Sequence, residues 1–190
     1  CRFYHLGFGI ALGDTATHCA HAAEDGGGVC VEPDRCVEYC NTMDNVCTNP
    51  PSYSNMDDCI RWCNLMPLGA DGATTGNSLA CREYHLDVAV NTGDSATHCP
   101  HASLEGGDQC GTPEEMLCIG MDEFCYGYVE EYFAISNCLS DAATLTYDGD
   151  ITAHTGDDTL ECRYYHLGFA FTQPTVAGQQ DHCVHAGPNG

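Results

Sequence analysis

Apolar positions along the chain fall in short blocks, broken by Gly, Pro, Asp and Thr. No block approaches the ~18–20 apolar residues of a membrane-spanning helix. Residues 2–12 and 82–90 read as short helices, stopped at Gly13-Asp14 and at Asn91-Thr92-Gly93. Pro33 suits the first turn of a helix expected to run to about Cys47. Its partner starts near Ser54, where Ser54-x-x-Asp57 is a variant capping box, and stops before Pro67. Asn49-Pro50-Pro51-Ser52 forms the loop between them. Thr112-Pro113-Glu114-Glu115 marks another helix start, with an N-cap, a Pro at the first position and acid at the third. Stretches 69–78 and 148–158, rich in Gly, Asp and Thr, read as linkers. Little follows the period of a strand, so the expected class is mainly α.

A repeat organises these elements. The chain opens on CRFYHLGFGIALGDTATHCAHA, returns at residue 81 with CREYHLDVAVNTGDSATHCPHA, and returns at residue 162 with CRYYHLGFAFTQPTVAGQQDHCVHA. The shared pattern is C-R-x-Y-H-L, a spacer, then H-C-x-H-A. The third spacer is three residues longer, which predicts a surface loop, where extra length costs little. The expected modules are 1–30, 81–110 and 162–190, each a short helix plus a His-Cys-x-His loop, the last a partial repeat. Between them, 31–80 and 111–161 are expected to form disulfide-stapled αα-hairpins with linkers, giving a tandem array of small disulfide-rich helical repeats. Repeat arrays commonly carry atypical terminal units as caps, and these ends do not resemble caps. Head-to-tail self-association into a fibre or array is therefore expected.

Comparison of the copies narrows the pairing of the 16 cysteines. The third copy holds only Cys162 and Cys183, so the expected bonds are Cys162–Cys183 and, by equivalence, Cys1–Cys19 and Cys81–Cys99. Aligning Cys40-x6-Cys47 with Cys118-x6-Cys125 leaves Cys36 and Cys63 without counterparts, as bonded partners lost together would be. Cys36 and Cys40 lie i,i+4 on one helix face, as do Cys59 and Cys63. The pairs 36/63 and 40/59 share one sum, the register of an antiparallel hairpin. The remaining expected bonds are Cys36–Cys63, Cys40–Cys59, Cys30–Cys47, Cys118–Cys138 and Cys110–Cys125. Over that segment alone the chain resembles the twin C-x3-C helical hairpins of small mitochondrial intermembrane-space chaperones. The resemblance implies a stapled αα-hairpin and no function.

Cysteine at about 8% is the level of a disulfide scaffold. Eight bridges imply an oxidising compartment: secreted, at the cell surface or periplasmic. They also supplement a core that segments this short cannot build alone. Charge narrows the partners. The chain has 28 acidic residues against five basic ones, all Arg, for a net charge of −23. Such a surface repels nucleic acid and acidic membranes, so neither is expected as a partner. The acidic runs at 148–150 and 157–158 lack the spacing of a calcium loop and read as solvated faces.

Nine of the ten His fall in the repeat, three per copy. His5 lies i+4 from Cys1, while His18 and His21 flank Cys19. If the motif cysteines bond, His5, His18 and His21 converge; so do His85, His98 and His101, and His166, His182 and His185. Three imidazoles beside a spent pair of sulfurs form a nitrogen-only metal site, suited to copper or zinc, with copper favoured by affinity order. Two other readings compete. The His could be structural, or haem could bind; the usual C-x-x-C-H attachment is absent, so haem would need His ligation or a thioether from Cys1 or Cys19. Arg2, Arg82 and Arg163 are expected to pair with carboxylates or to cap helix carbonyls. Tyr4, Tyr84 and Tyr165 read as core residues able to orient a ligand His. No acid or base accompanies the His in all three copies, so an enzyme is not expected. The reading is an extracellular, metal-binding repeat protein that assembles with itself.

Overall fold

The computed structural model describes residues 35–48, 53–125, 135–147 and 158–188. The chain divides into two compact units, Cys1–Glu38 and Tyr39–Gly190. Residues 35–38 are all that is described of the first, as the opening of a helix, so His5, His18, His21, Cys1, Cys19 and Cys30 lie outside the described residues. Eight α-helices are described: α1 Arg35–Val46, α2 Met56–Leu65, α3 Leu79–Thr92, α4 Ser95–Ala102, α5 Pro113–Cys125, α6 Ile135–Ala142, α7 Leu160–Thr172 and α8 Val176–Ala186. A 3₁₀ turn at Gly106–Asp108 follows α4. Among the described residues no strand forms beyond a single bridge between Thr146 and Thr159. The mainly helical expectation holds.

Side-chain caps set the helix starts. Thr112 and Glu115 cap one another at the head of α5, Thr112 N donating to Glu115 Oε2 at 3.0 Å and Glu115 N to Thr112 Oγ1 at 3.3 Å. That reciprocal box is the one its sequence predicts. At α2 the cap sits one residue later than expected: Asn55 Oδ1 accepts from Asp58 N at 2.9 Å, and Ser54 N donates to Asp58 Oδ2 at 3.1 Å. Asn is an equally good N-cap, so neighbouring candidates compete on even terms.

Two elements differ in kind from the sequence expectation. The two described His-Cys-x-His segments are helices, not loops. Asp94 Oδ1 caps α4 through Thr97 N, and Thr175 Oγ1 caps α8 through Gly178 N. The three extra residues of the third copy lengthen a helix rather than a loop, since α8 has 11 residues where α4 has 8. Three residues are close to one turn, so the insertion returns His182 and His185 to the face that His98 and His101 occupy.

Helices α3 and α4 pack on each other, as do α7 and α8, and α5 contacts α2, α6, α7 and α8. The core is buried aromatic, sulfur and aliphatic side chains: Trp62, Leu104, Met116, Leu117, Tyr164 and Leu167 are all at most 3% exposed. Trp62 meets Tyr164 and Phe171 with ring centroids 5.2 and 5.1 Å apart. Gly120 makes this approach possible, because a Cβ there would lie 2.7 Å from Leu167 Cδ2 and 3.0 Å from Trp62.

The disulfides bear out two of the expected hairpin staples and correct four of the other expected bonds. Cys40–Cys59 and Cys118–Cys138 form as expected, and Cys36 and Cys63 are each disulfide-bonded. Cys81 is bonded to Cys110, not to Cys99. Cys99 is bonded back to Cys47, which excludes Cys30–Cys47. Cys183 is bonded back to Cys125, which excludes both Cys162–Cys183 and Cys110–Cys125. Helical geometry is the reason. Successive residues sit ~100° apart around a helix, so when His98 faces α3, Cys99 points elsewhere. It points to the C-terminal end of α1, where its sulfur also lies 3.9 Å from the Val46 carbonyl.

Candidate metal centre

The second module brings its three histidines to one point. His85 stands on α3, one turn after Cys81, and His98 and His101 share a face of α4. His85 Nδ1 lies 3.0 Å from His98 Nδ1 and 3.4 Å from His101 Nδ1. His85 is buried, with the other two half-exposed, so the cluster opens to solvent on one side. The other ring nitrogen of His85, Nε2, sits 3.2 Å from the Thr74 carbonyl. A carbonyl only accepts, so Nε2 carries the proton in the neutral ring and Nδ1 presents its lone pair to its neighbours. One lone pair cannot accept fully from two imidazole donors at once. It can join two others on a metal ion.

The distances suit that use. Metal–nitrogen bonds of about 2.0–2.1 Å in a tetrahedron put ligand nitrogens about 3.3 Å apart. Here the two separations from His85 are 3.0 and 3.4 Å. In the third module His166 Nδ1 lies 3.2 Å from His182 Nδ1. His185 completes that cluster, its ring 4.8 Å from that of His166. In each trio one ligand atom per residue lies within 4.8 Å of the others. Cys81 and Cys110 also approach His85, but their sulfurs are joined to each other and offer no thiolate.

The motif Arg and residues outside the motif hold these histidines in place. Arg82 is fully buried and ties the two helices together: Nε donates to the Ser103 carbonyl at 2.8 Å, Nη2 to the Leu104 carbonyl at 3.0 Å, and Nη1 to Asn77 Oδ1 and the Ser78 carbonyl at 2.9 and 3.3 Å. This is the carbonyl-capping role expected of the motif Arg. Its counterpart Arg163 takes the other expected role, pairing with Asp158 Oδ1 at 2.5 Å. Tyr39 Oη donates to the Ala102 carbonyl at 2.5 Å, one residue beyond His101, and receives a bond from Tyr53 Oη at 2.8 Å. Burial raises the Tyr39 hydroxyl to about 12, so it keeps its proton and remains a donor. Gly107, at φ +52°, lets the 3₁₀ turn close on the site, since a Cβ there would meet His101 Cδ2 at 2.9 Å.

Burial and the neighbouring imidazoles together lower the pKa of His101 below its usual 6.5, burial being the larger cause. His166 is lowered for the same reasons, with His185 and His182 beside it and Asp181 opposing. Both shifts favour the neutral ring that a metal requires.

Several features of the site were not legible in the motif. Thr74 lies in a stretch that reads as a linker, yet its carbonyl accepts from both His85 and Gln109 Nε2. Tyr84 is 40% exposed, not core, and Tyr165 is half-buried; the buried tyrosine of the third module is Tyr164. The trio does converge, but helix packing and the Cys47–Cys99 and Cys81–Cys110 bonds draw it together in place of a bond between the motif cysteines.

Residues 35–113 match the model of the BfoA family C-terminal domain. That stretch starts with α1 and reaches the first residue of α5, so it encloses one stapled hairpin and the His85 trio. Similar proteins include Aurasperone B biosynthesis cluster protein A of Aspergillus niger and Bifonsecin B biosynthesis cluster protein A of Aspergillus brasiliensis, each 38% identical over 73 residues. The similarity covers 37% of this chain, which spans about a quarter (23% and 24%) of the length of those relatives. No solved structure matches the chain.

Proposed function

We propose that this chain is an extracellular tandem-repeat protein in which each C-R-x-Y-H-L/H-C-x-H-A module holds one copper or zinc ion through three imidazole nitrogens. The supporting observation is His85, whose Nε2 is committed to the Thr74 carbonyl while its Nδ1 stands at ligand-to-ligand distance from two further imidazoles. The His166 trio supports the same reading, and the sequence pattern extends it to His5, His18 and His21. An all-nitrogen donor set favours Cu(II) over Zn(II) by affinity order. The many disulfides fit an oxidising, secreted setting, and no described helix is long and apolar enough to cross a membrane.

The site binds without catalysing. Asp181, the carboxylate beside the third trio, has Thr97 as its counterpart in the second, so no acid or base recurs with the ligands. The relatives are fungal proteins named for biosynthesis clusters, and a metal-carrying accessory role is compatible with those names. The repeat is further proposed to assemble head to tail, each module joining the hairpin of its neighbour.

Inductively coupled plasma mass spectrometry of native protein, kept from acid and chelator, tests the metal. Three copper or zinc ions per chain are expected, one per His trio. Absence of metal, with no uptake on titration with either ion, would overturn the reading. Sedimentation tests the assembly, and a monodisperse monomer at high concentration argues against it.

A further inference from the structure

A cleft of about 340 Å³ lies between α2 and α7, and no histidine lines it. Its volume is at the lower end of the range for small-molecule sites. The walls are aromatic: Trp62, Tyr164, Tyr165 and Phe169 line it. Arg61 also lines it, and the Arg61 Nε–H is buried without a hydrogen-bond partner. Its guanidinium is already paired with Asp58, which also lines the cleft, Nη2 reaching Asp58 Oδ1 at 3.4 Å. The floor includes Gly168, in the middle of α7, where an added Cβ would meet nothing within 4 Å. Glycine at a helix interior costs about 1 kcal/mol relative to alanine. Packing does not require it here, and the missing side chain leaves the cleft open at that point.

We propose that this cleft binds a neutral, planar aromatic molecule carrying a carbonyl or hydroxyl oxygen. The rings supply stacking and edge contacts to a flat apolar body. The unmet Nε–H of Arg61 supplies one directed donor, which an oxygen on the ligand satisfies. Charge selects against an anion, since Asp58 already neutralises Arg61 and the chain carries a net −23. The second module keeps the tyrosine, Tyr84 matching Tyr165, but has Asp87 and Val88 where the cleft has Gly168 and Phe169. Tyr165 and Phe169, 4.7 Å apart, also touch the histidines, Tyr165 with its ring 5.5 Å from His166 and Phe169 5.5 Å from His182. A bound ligand therefore sits one ring layer from the third trio. Binding does not depend on metal, so the test uses metal-free protein.

Trp62 is the one tryptophan of the chain, and its fluorescence reports the cleft directly. Titration with 2-naphthol is expected to quench it saturably, with naphthalene and 2-naphthoate each binding at least about tenfold more weakly. Gly168→Leu fills the floor with a better helix former and is expected to weaken 2-naphthol about tenfold or more while the far-ultraviolet circular dichroism is retained. Should that variant fail to fold, Arg61→Met is expected to reduce 2-naphthol to the affinity of naphthalene. No saturable quenching, undiminished binding by Gly168→Leu, or tighter binding of 2-naphthoate would each overturn the proposal.

Discussion

His85 and Arg82 show how much of this molecule rests on single side chains. His85 is the one member of its trio held from both ring nitrogens, so it anchors the site. His85→Gln is expected to remove one metal per chain and to leave the His166 site loaded, as measured by metal content and competitive titration. Arg82 places a guanidinium in full burial among neutral oxygens, four bonds from one side chain. Truncation leaves the Ser103 and Leu104 carbonyls unmet, so Arg82→Met should cost about 3 kcal/mol in urea unfolding. Arg163→Met should cost less. Its partner Asp158 is 71% exposed, and its own Nη1 is buried without a hydrogen-bond partner in the native protein.

Among the elements, α4 and α8 carry the chemistry and are too short to stand alone. Isolated helices of 8 or 11 residues are marginal in water. Each is fixed by packing on its partner helix and by a bond from its cysteine back to the preceding hairpin, Cys47–Cys99 for α4 and Cys125–Cys183 for α8. Replacing Cys47 and Cys99 together by Ser should therefore loosen α4 and weaken the His85–His98–His101 site about tenfold or more, leaving the third site unchanged. Site-resolved zinc or copper titration of that variant checks the asymmetry. Equal weakening at both sites would point to global loosening instead. The sequence foretold the start of α5, the cap of α2 to within a residue, and the Cys40–Cys59 and Cys118–Cys138 staples because those depend on neighbours within a turn or across one hairpin. It misplaced Cys81, Cys99 and Cys183 because proximity in a repeat suggests a partner while helix rotation chooses the direction of each sulfur.

For the whole molecule, pH is the simplest lever. His101 and His166 have folded pKa values below the unfolded 6.5, so the unfolded chain binds more protons as acidity rises through that value. Stability rises with pH wherever the unfolded state holds the extra protons. The metal-free protein should accordingly be at full stability above pH 6.5 in this respect, and should lose stability as pH falls below it. Thermal unfolding across pH 7 to 5 tests the sign, and a melting temperature that climbs on acidification would contradict it. Metal release should follow the same direction, because protons and metal compete for the same lone pairs.

By itself the sequence determined the helical class, the repeated motif and the Cys40–Cys59 and Cys118–Cys138 staples, and it singled out the six described histidines that the fold gathers into two trios. Each of these follows from composition or from spacing along one helix, which survives without knowledge of neighbours. The tertiary structure decided which sulfurs meet, that the two described His-Cys-x-His segments are helices, that the Thr74 carbonyl sets the tautomer of His85, and that α2 and α7 leave an aromatic cleft between them. Those are contacts between residues far apart in the chain. Their partners are chosen by helix rotation and packing, which no local spacing records.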